Sequence, residues 1–117
     1  MKSKLIVYIL FLLLVSVFVT NCNKQQSTNI IRVYYNETKC SDKWGSSNIP
    51  ENEKKQNIIM YFENLGIRIY DIQIVNDGTS EECKACFCKT GYRIHCKINK
   101  DDLSKFKTEN FYDHLTI

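Results

Sequence analysis

The chain opens with one unbroken apolar segment. Two lysines in the first four residues precede LIVYILFLLLVSVFV, which is apolar over residues 5–19 except for one serine. A basic start followed by roughly 7–15 apolar residues is the pattern of a secretory signal peptide, whereas a membrane-spanning helix needs about 20. We therefore predict a signal peptide over residues 1–21, with an uncleaved membrane anchor as the alternative.

From residue 29 onward, three segments of the chain alternate between apolar and polar positions. NIIRVYY over residues 29–35 is rich in β-branched and aromatic residues, and residues 92–98 alternate without a break. Both patterns predict β-strands with one buried face. The segment from Ile67 to Val75 also alternates, but its phase changes midway. A β-bulge near Tyr70 or Asp71 would explain that change.

Residues 50–66 carry the strongest helical pattern. Pro50 suits the first turn of a helix, and Gly66 suits its left-handed end. The apolar positions between them share one face, and they are Ile58, Ile59, Phe62 and Leu65. A second, short helix is predicted through Leu103 and Phe106, with Asn99 or Asp101 as its cap.

These elements predict a single α+β domain over residues 29–117. Their order is strand, helix, strand, strand and helix, and residues 111–117 could add a last turn or strand. One antiparallel sheet covered by two helices follows from this order. A ferredoxin-like split β-α-β arrangement is its natural candidate.

Composition adds two constraints. The 117 residues leave no room for a second core. Lysines and arginines number 16 against 13 carboxylates, and removal of the leader takes two lysines and no acid, which leaves a charge of +1. So weak a charge does not indicate a nucleic-acid partner.

The end of the apolar segment resembles a bacterial lipobox. Val19-Thr20-Asn21-Cys22 places an aliphatic residue ahead of a cysteine, although Asn21 stands where Gly, Ala or Ser is usual. The resemblance implies that Cys22 receives a diacylglyceryl group and becomes the acylated first residue, with palmitate as a typical acyl group. Residues 22–28 would then be the lipidated cysteine and its tether, and the domain would lie in the bacterial cell envelope, at the outer membrane or the periplasmic face.

Four further cysteines carry the candidate chemistry. Cys83, Cys86 and Cys88 form a C-x-x-C-x-C motif, and Cys40 lies in the first loop. In an oxidising compartment they predict two disulfides, one from Cys40 to the motif and one local bridge in which Cys83 is the better partner. Four thiolates could instead hold zinc, or copper as Cu(I). A redox-active C-x-x-C is the third reading, although no helix start follows Cys83.

The same residues resemble a group of small, uncharacterised Bacteroidetes envelope lipoproteins. The similarity spans residues 22–107, and its most specific parts are the C-x-A-C-x-C-x-T-G segment at residues 83–91 and the Cys40–Trp44 pair. It implies an envelope lipoprotein and no particular activity.

The remaining cysteine, the two histidines and one pair of aspartates could suggest catalysis or metal binding, but each has a structural interpretation. Cys96 shares a strand face with apolar residues, which predicts a small buried side chain. His95 lies on the opposite, polar face, and His114 in the tail has no predicted companion. Asp101 and Asp102 sit where a helix cap belongs.

We therefore predict a non-enzymatic binding or structural module. It would be anchored to a membrane by lipid and stabilised by disulfides, with an envelope protein as partner. The alternative is a zinc- or copper-binding envelope protein whose ligands are Cys40, Cys83, Cys86 and Cys88.

Overall fold

The computed structural model describes residues 2–18 and 29–114. Three α-helices, one 3₁₀ helix and four strands are present there: α1 (Lys2–Phe18), β1 (Ile30–Thr38), α2 (Glu51–Asn64), β2 (Ile69–Val75), β3 (Lys89–Asn99), η1 (Lys100–Asp102), α3 (Leu103–Thr108) and β4 (Tyr112–Asp113). The predicted α+β class is confirmed.

The apolar segment of the predicted leader forms α1, and its described side chains are exposed. Within residues 2–18 and 29–114, no helix combines the length and the apolar character that crossing a membrane requires. The leader boundary, the lipidation candidate Cys22 and the tether at residues 22–28 lie outside the described residues.

The four strands form one antiparallel sheet in the order β2-β3-β1-β4. Because β3 lies between β1 and β2, the β1-α2-β2 segment is a split β-α-β unit. The central pair, β1 with β3, runs in register from Ile30 opposite Asn99 to Asn36 opposite Arg93.

Strand alternation gives the sheet a covered face and an open face. On the covered face Val33 of β1 and Ile94, Cys96 and Ile98 of β3 are almost fully buried. The intervening positions project the other way. The open face carries Arg32, Tyr34, Arg93, His95 and Lys97.

The predicted bulge is confirmed in β2. The register against β3 shifts between Ile69 and Asp71. The extra residue returns Ile72 and Ile74 to the face that Ile69 occupies, and these side chains pack against the core.

Helix α2 begins after Pro50, as predicted, and ends at a left-handed glycine. Gly66 has φ +75°, and the Ile67 amide donates to the Phe62 carbonyl at 2.9 Å. This backbone conformation favours glycine. The helix buries Ile58 and Phe62 completely.

Helix α3 completes the core through aromatic contacts. The ring of Phe106 stacks on Phe62 with centroids 4.2 Å apart, and Phe111 packs edge-on against both rings. The Asn99 side chain accepts from the Asp101 amide at 3.0 Å, so Asn99 is the cap that begins η1.

One charged pair is buried between α2, β1 and β3. Lys54 Nζ lies 2.5 Å from Glu37 Oε2, with side-chain exposures of 7% and 3%. Thr90 Oγ1 donates to the second Glu37 oxygen at 2.9 Å, and Lys54 also donates to the Ser47 carbonyl at 3.2 Å. The pair is therefore almost fully buried and hydrogen-bonded at both ends.

We expect Glu37→Leu or Lys54→Met alone to lower the free energy of unfolding by about 3–5 kcal/mol, because each leaves a buried charge unpaired. The double variant removes both charges and should lose less than either single variant. Urea denaturation of the three variants and the parent measures these differences. Additive losses in the double variant would contradict the argument.

Candidate functional site

The four loop cysteines meet at one end of the sheet, and we call them the cysteine cluster (Cys40, Cys83, Cys86 and Cys88). The end of β1 lies opposite the start of β3, where Thr38 pairs with Lys89. The Cys40 amide donates to the Cys86 carbonyl at 3.1 Å. A disulfide joins these two residues, whose Cα atoms are 4.5 Å apart.

The second disulfide lies within the C-x-x-C-x-C motif. It joins Cys83 to Cys88, with Cα atoms 6.0 Å apart, and Cys88 is fully buried. The Lys39 ammonium donates to the Cys83 carbonyl, and the Lys39 amide to the Cys88 carbonyl at 3.0 Å. The prediction of two disulfides is confirmed, including the long bridge from Cys40 and the local bridge from Cys83.

The disulfides bear directly on the metal interpretation of the cysteine cluster. All four sulfurs are oxidised, whereas the metal ligand is the thiolate. Among the residues that the structure describes, no three or more His, Cys, Asp or Glu side chains are grouped to hold a metal ion. A zinc or copper site at the cysteine cluster would require the reduced protein.

Cys96 remains a free thiol in the core. It is 1% exposed, and burial, with a smaller contribution from the nearby Asp71 carboxylate, raises its pKa to about 12. The thiolate that would react is therefore strongly disfavoured. The prediction of a small buried side chain is confirmed.

The two disulfides should differ in their contribution to stability. They close sequence separations of 46 and 5 residues, for which the chain-entropy model gives about 4 and about 2 kcal/mol. We expect the Cys40→Ala/Cys86→Ala variant to lose more stability than Cys83→Ala/Cys88→Ala. Urea denaturation without reductant measures both. An equal or reversed ranking would show that local strain or packing outweighs chain entropy.

A buried carboxylate organises the loop that follows β1. Asp42 accepts from the hydroxyls of Tyr35 and Thr38, each at 2.6 Å. Burial raises the pKa of Asp42, although these hydrogen bonds act in the opposite direction. Next to it Trp44 packs edge-on against Tyr35, with centroids 4.9 Å apart. Trp44 is thus part of the aromatic core.

The open face holds a second group of candidate residues, which we call the histidine cluster (Asp77, His95 and His114). His95 Nε2 lies 2.8 Å from Asp77 Oδ2. His95 Nδ1 lies 3.2 Å from His114 Nε2, and the two rings stack with centroids 5.3 Å apart. The expectation that His114 has no companion is wrong, because β4 brings the tail alongside β1.

The surroundings of His114 disfavour its cationic form. Burial lowers its pKa, and the neighbouring His95 and Arg32 lower it further. Asp113 and Asp77 act in the opposite direction and are weaker. His114 therefore favours the neutral form, in which an imidazole keeps a lone pair.

Aromatic and cationic side chains flank the histidine cluster. Tyr34 stacks on Tyr112 with centroids 5.4 Å apart and contacts the His114 ring at 5.1 Å. The Arg93 guanidinium lies 4.9 Å from the Tyr34 ring centroid and donates to Asn36 at 3.1 Å. These contacts hold the side chains in fixed positions on the sheet.

A cavity of about 210 Å³ opens beside the histidine cluster. It combines cationic, anionic and amide groups with the two imidazoles, and its lining includes Arg32, Asp71, Gln73, Asp77, Lys97 and the histidines. The open face is therefore equipped for polar contacts.

Comparisons with family models, with curated proteins and with solved structures find no significant match to this chain. The resemblance to Bacteroidetes envelope lipoproteins stays a prediction.

Proposed function

We propose that this chain is a lipid-anchored envelope lipoprotein whose domain is a non-catalytic binding module. The observation that carries the proposal is the pair of disulfides in the cysteine cluster. Structural disulfides persist in oxidising compartments and are rare in the cytosol. An exported domain agrees with the leader pattern over residues 1–21.

The proposed membrane anchor is Cys22, the cysteine that directly follows the predicted leader. Acylation of Cys22 would attach several fatty chains, and two or more chains give stable membrane attachment where a single chain is marginal. Residues 23–29 leave seven positions between the lipid and β1. The domain would therefore stay close to the membrane surface.

Intact mass of the full chain, extracted from bacterial membranes, tests the proposal. We expect loss of residues 1–21, addition of a diacylglyceryl group and a further acyl group at Cys22, and a rise of four hydrogens on reduction of the two bridges. An unprocessed chain found in the cytosol with reduced thiols would refute it.

Two substitutions make matched controls. Cys22→Ser should retain the leader mass and lose the lipid, while Cys96→Ser should be processed like the parent because Cys96 is a buried core residue. Lipid on the Cys22→Ser variant would place the acylation elsewhere and contradict the assignment.

The open face is the surface we assign to a protein partner. Tyrosine and arginine are enriched at protein interfaces and among their strongest contacts. Tyr112 is half exposed on this face, next to the Tyr34–Arg93 pair. Helices α2 and α3 occupy the opposite face, which leaves the open face available for an envelope protein.

A photo-crosslinking residue at position 112 should form an adduct with that partner in cells, and one at Met60 should not. Met60 is comparably exposed, on α2, and serves as the matched control. Arg93→Ser should reduce the adduct at position 112, because it removes the guanidinium that packs on Tyr34. Equal adducts at both positions, or none at position 112, would contradict the assignment.

A further inference from the structure

The histidine cluster has the arrangement of two metal ligands and their support. Histidines that bind metals usually donate the other ring N–H to a carboxylate, which fixes the tautomer and the ring orientation. Asp77 occupies that position beside His95 Nε2, at 2.8 Å. A proton on Nε2 leaves the Nδ1 lone pair of His95 directed at His114 Nε2.

We propose that His95 and His114 bind a Zn²⁺ ion on the open face, through Nδ1 and Nε2 respectively. This site is separate from the cysteine cluster, and it does not depend on lipidation or on a protein partner.

The separation of the two nitrogens favours zinc geometry. Nitrogens bound to one tetrahedral Zn²⁺ at about 2.0–2.1 Å are about 3.3 Å apart. Neighbouring nitrogens of a square-planar site are closer, at about 2.9 Å. The distance between His95 Nδ1 and His114 Nε2 is 3.2 Å, close to the spacing of a tetrahedral ion. His114 has to carry its proton on Nδ1 to bind the ion through Nε2.

The cavity can complete the coordination. Two protein ligands leave two positions of a tetrahedron for water from the open cavity, since no third His, Cys, Asp or Glu side chain of the described residues is grouped with the histidines to hold the ion. Arg32 and Lys97 line the cavity and oppose a cation. Asp71 and Asp77 offset these two charges, so the net field at the site is close to balanced.

Isothermal titration of the full chain in detergent with ZnCl₂, without reductant, tests the site. Every sample carries Cys22→Ser, which removes the thiol at that position and any acylation of it, so that Zn²⁺ binding is measured independently of the proposed anchor. We expect saturable one-to-one binding that His95→Gln and His114→Gln each weaken at least tenfold. Asp77→Asn should weaken it roughly tenfold, as loss of a supporting carboxylate does at other zinc sites.

Asp101→Asn is the matched control, since Asp101 is an exposed carboxylate outside the cavity, and it should leave the affinity unchanged. Circular dichroism verifies that each variant is folded. Imidazole ¹⁵N shifts should assign Zn²⁺ to His95 Nδ1 and His114 Nε2. Absence of Zn²⁺ binding, or binding that persists in both folded histidine variants, would show that the contact is only a hydrogen bond between two imidazoles.

Discussion

The register of β1 against β3 is the constraint on which both candidate sites depend. Pairing Ile30 with Asn99 fixes every later pair up to Asn36 with Arg93. A shift by one residue would turn each side chain to the other face. The same register brings Thr38 opposite Lys89, and thereby the first loop beside the C-x-x-C-x-C motif.

A disulfide and a buried ion pair supply the cross-links that the small core of this domain needs. Fewer than 90 residues bury a limited apolar area, so a bridge worth a few kcal/mol is a substantial fraction of the stability. The Cys40–Cys86 disulfide and the Glu37–Lys54 pair both fasten the end of β1, one to the loop before β3 and the other to α2. Both lie at the end of the sheet where the backbone leaves the regular ladder, with a register shift between Asn36 and Thr38.

Local patterns account for most of what could be predicted from the sequence. Alternation in β3 and the phase change in β2 identify the covered face and the bulge, because side-chain direction follows directly from strand period. Lys54 lies four residues before Ile58 and eight before Phe62, on the stripe that α2 buries. A lysine at that position indicates a buried partner, but the partner, Glu37, is distant in sequence.

The histidine cluster could not be predicted on the same grounds. Its residues come from the turn after β2, from β3 and from the segment after β4, so no local period connects them. Strand β4 is two residues long, which is too short to carry an alternating pattern. The pairing of β4 with β1, Tyr112 opposite Tyr34 and Asp113 opposite Val33, brings His114 across to His95.

The direction of β1 also determines which end of the sheet lies nearer to the proposed lipid anchor. Ile30 begins β1, and the Lys100 amide closes that end by donating to the Asn29 carbonyl at 2.8 Å. If Cys22 carries lipid, the seven residues from 23 to 29 reach at most about 25 Å from the membrane. Nine residues of β1 then rise about 30 Å to the cysteine cluster. The disulfide-bonded loops can therefore lie farthest from the membrane, while the open face extends along the strands between the two ends.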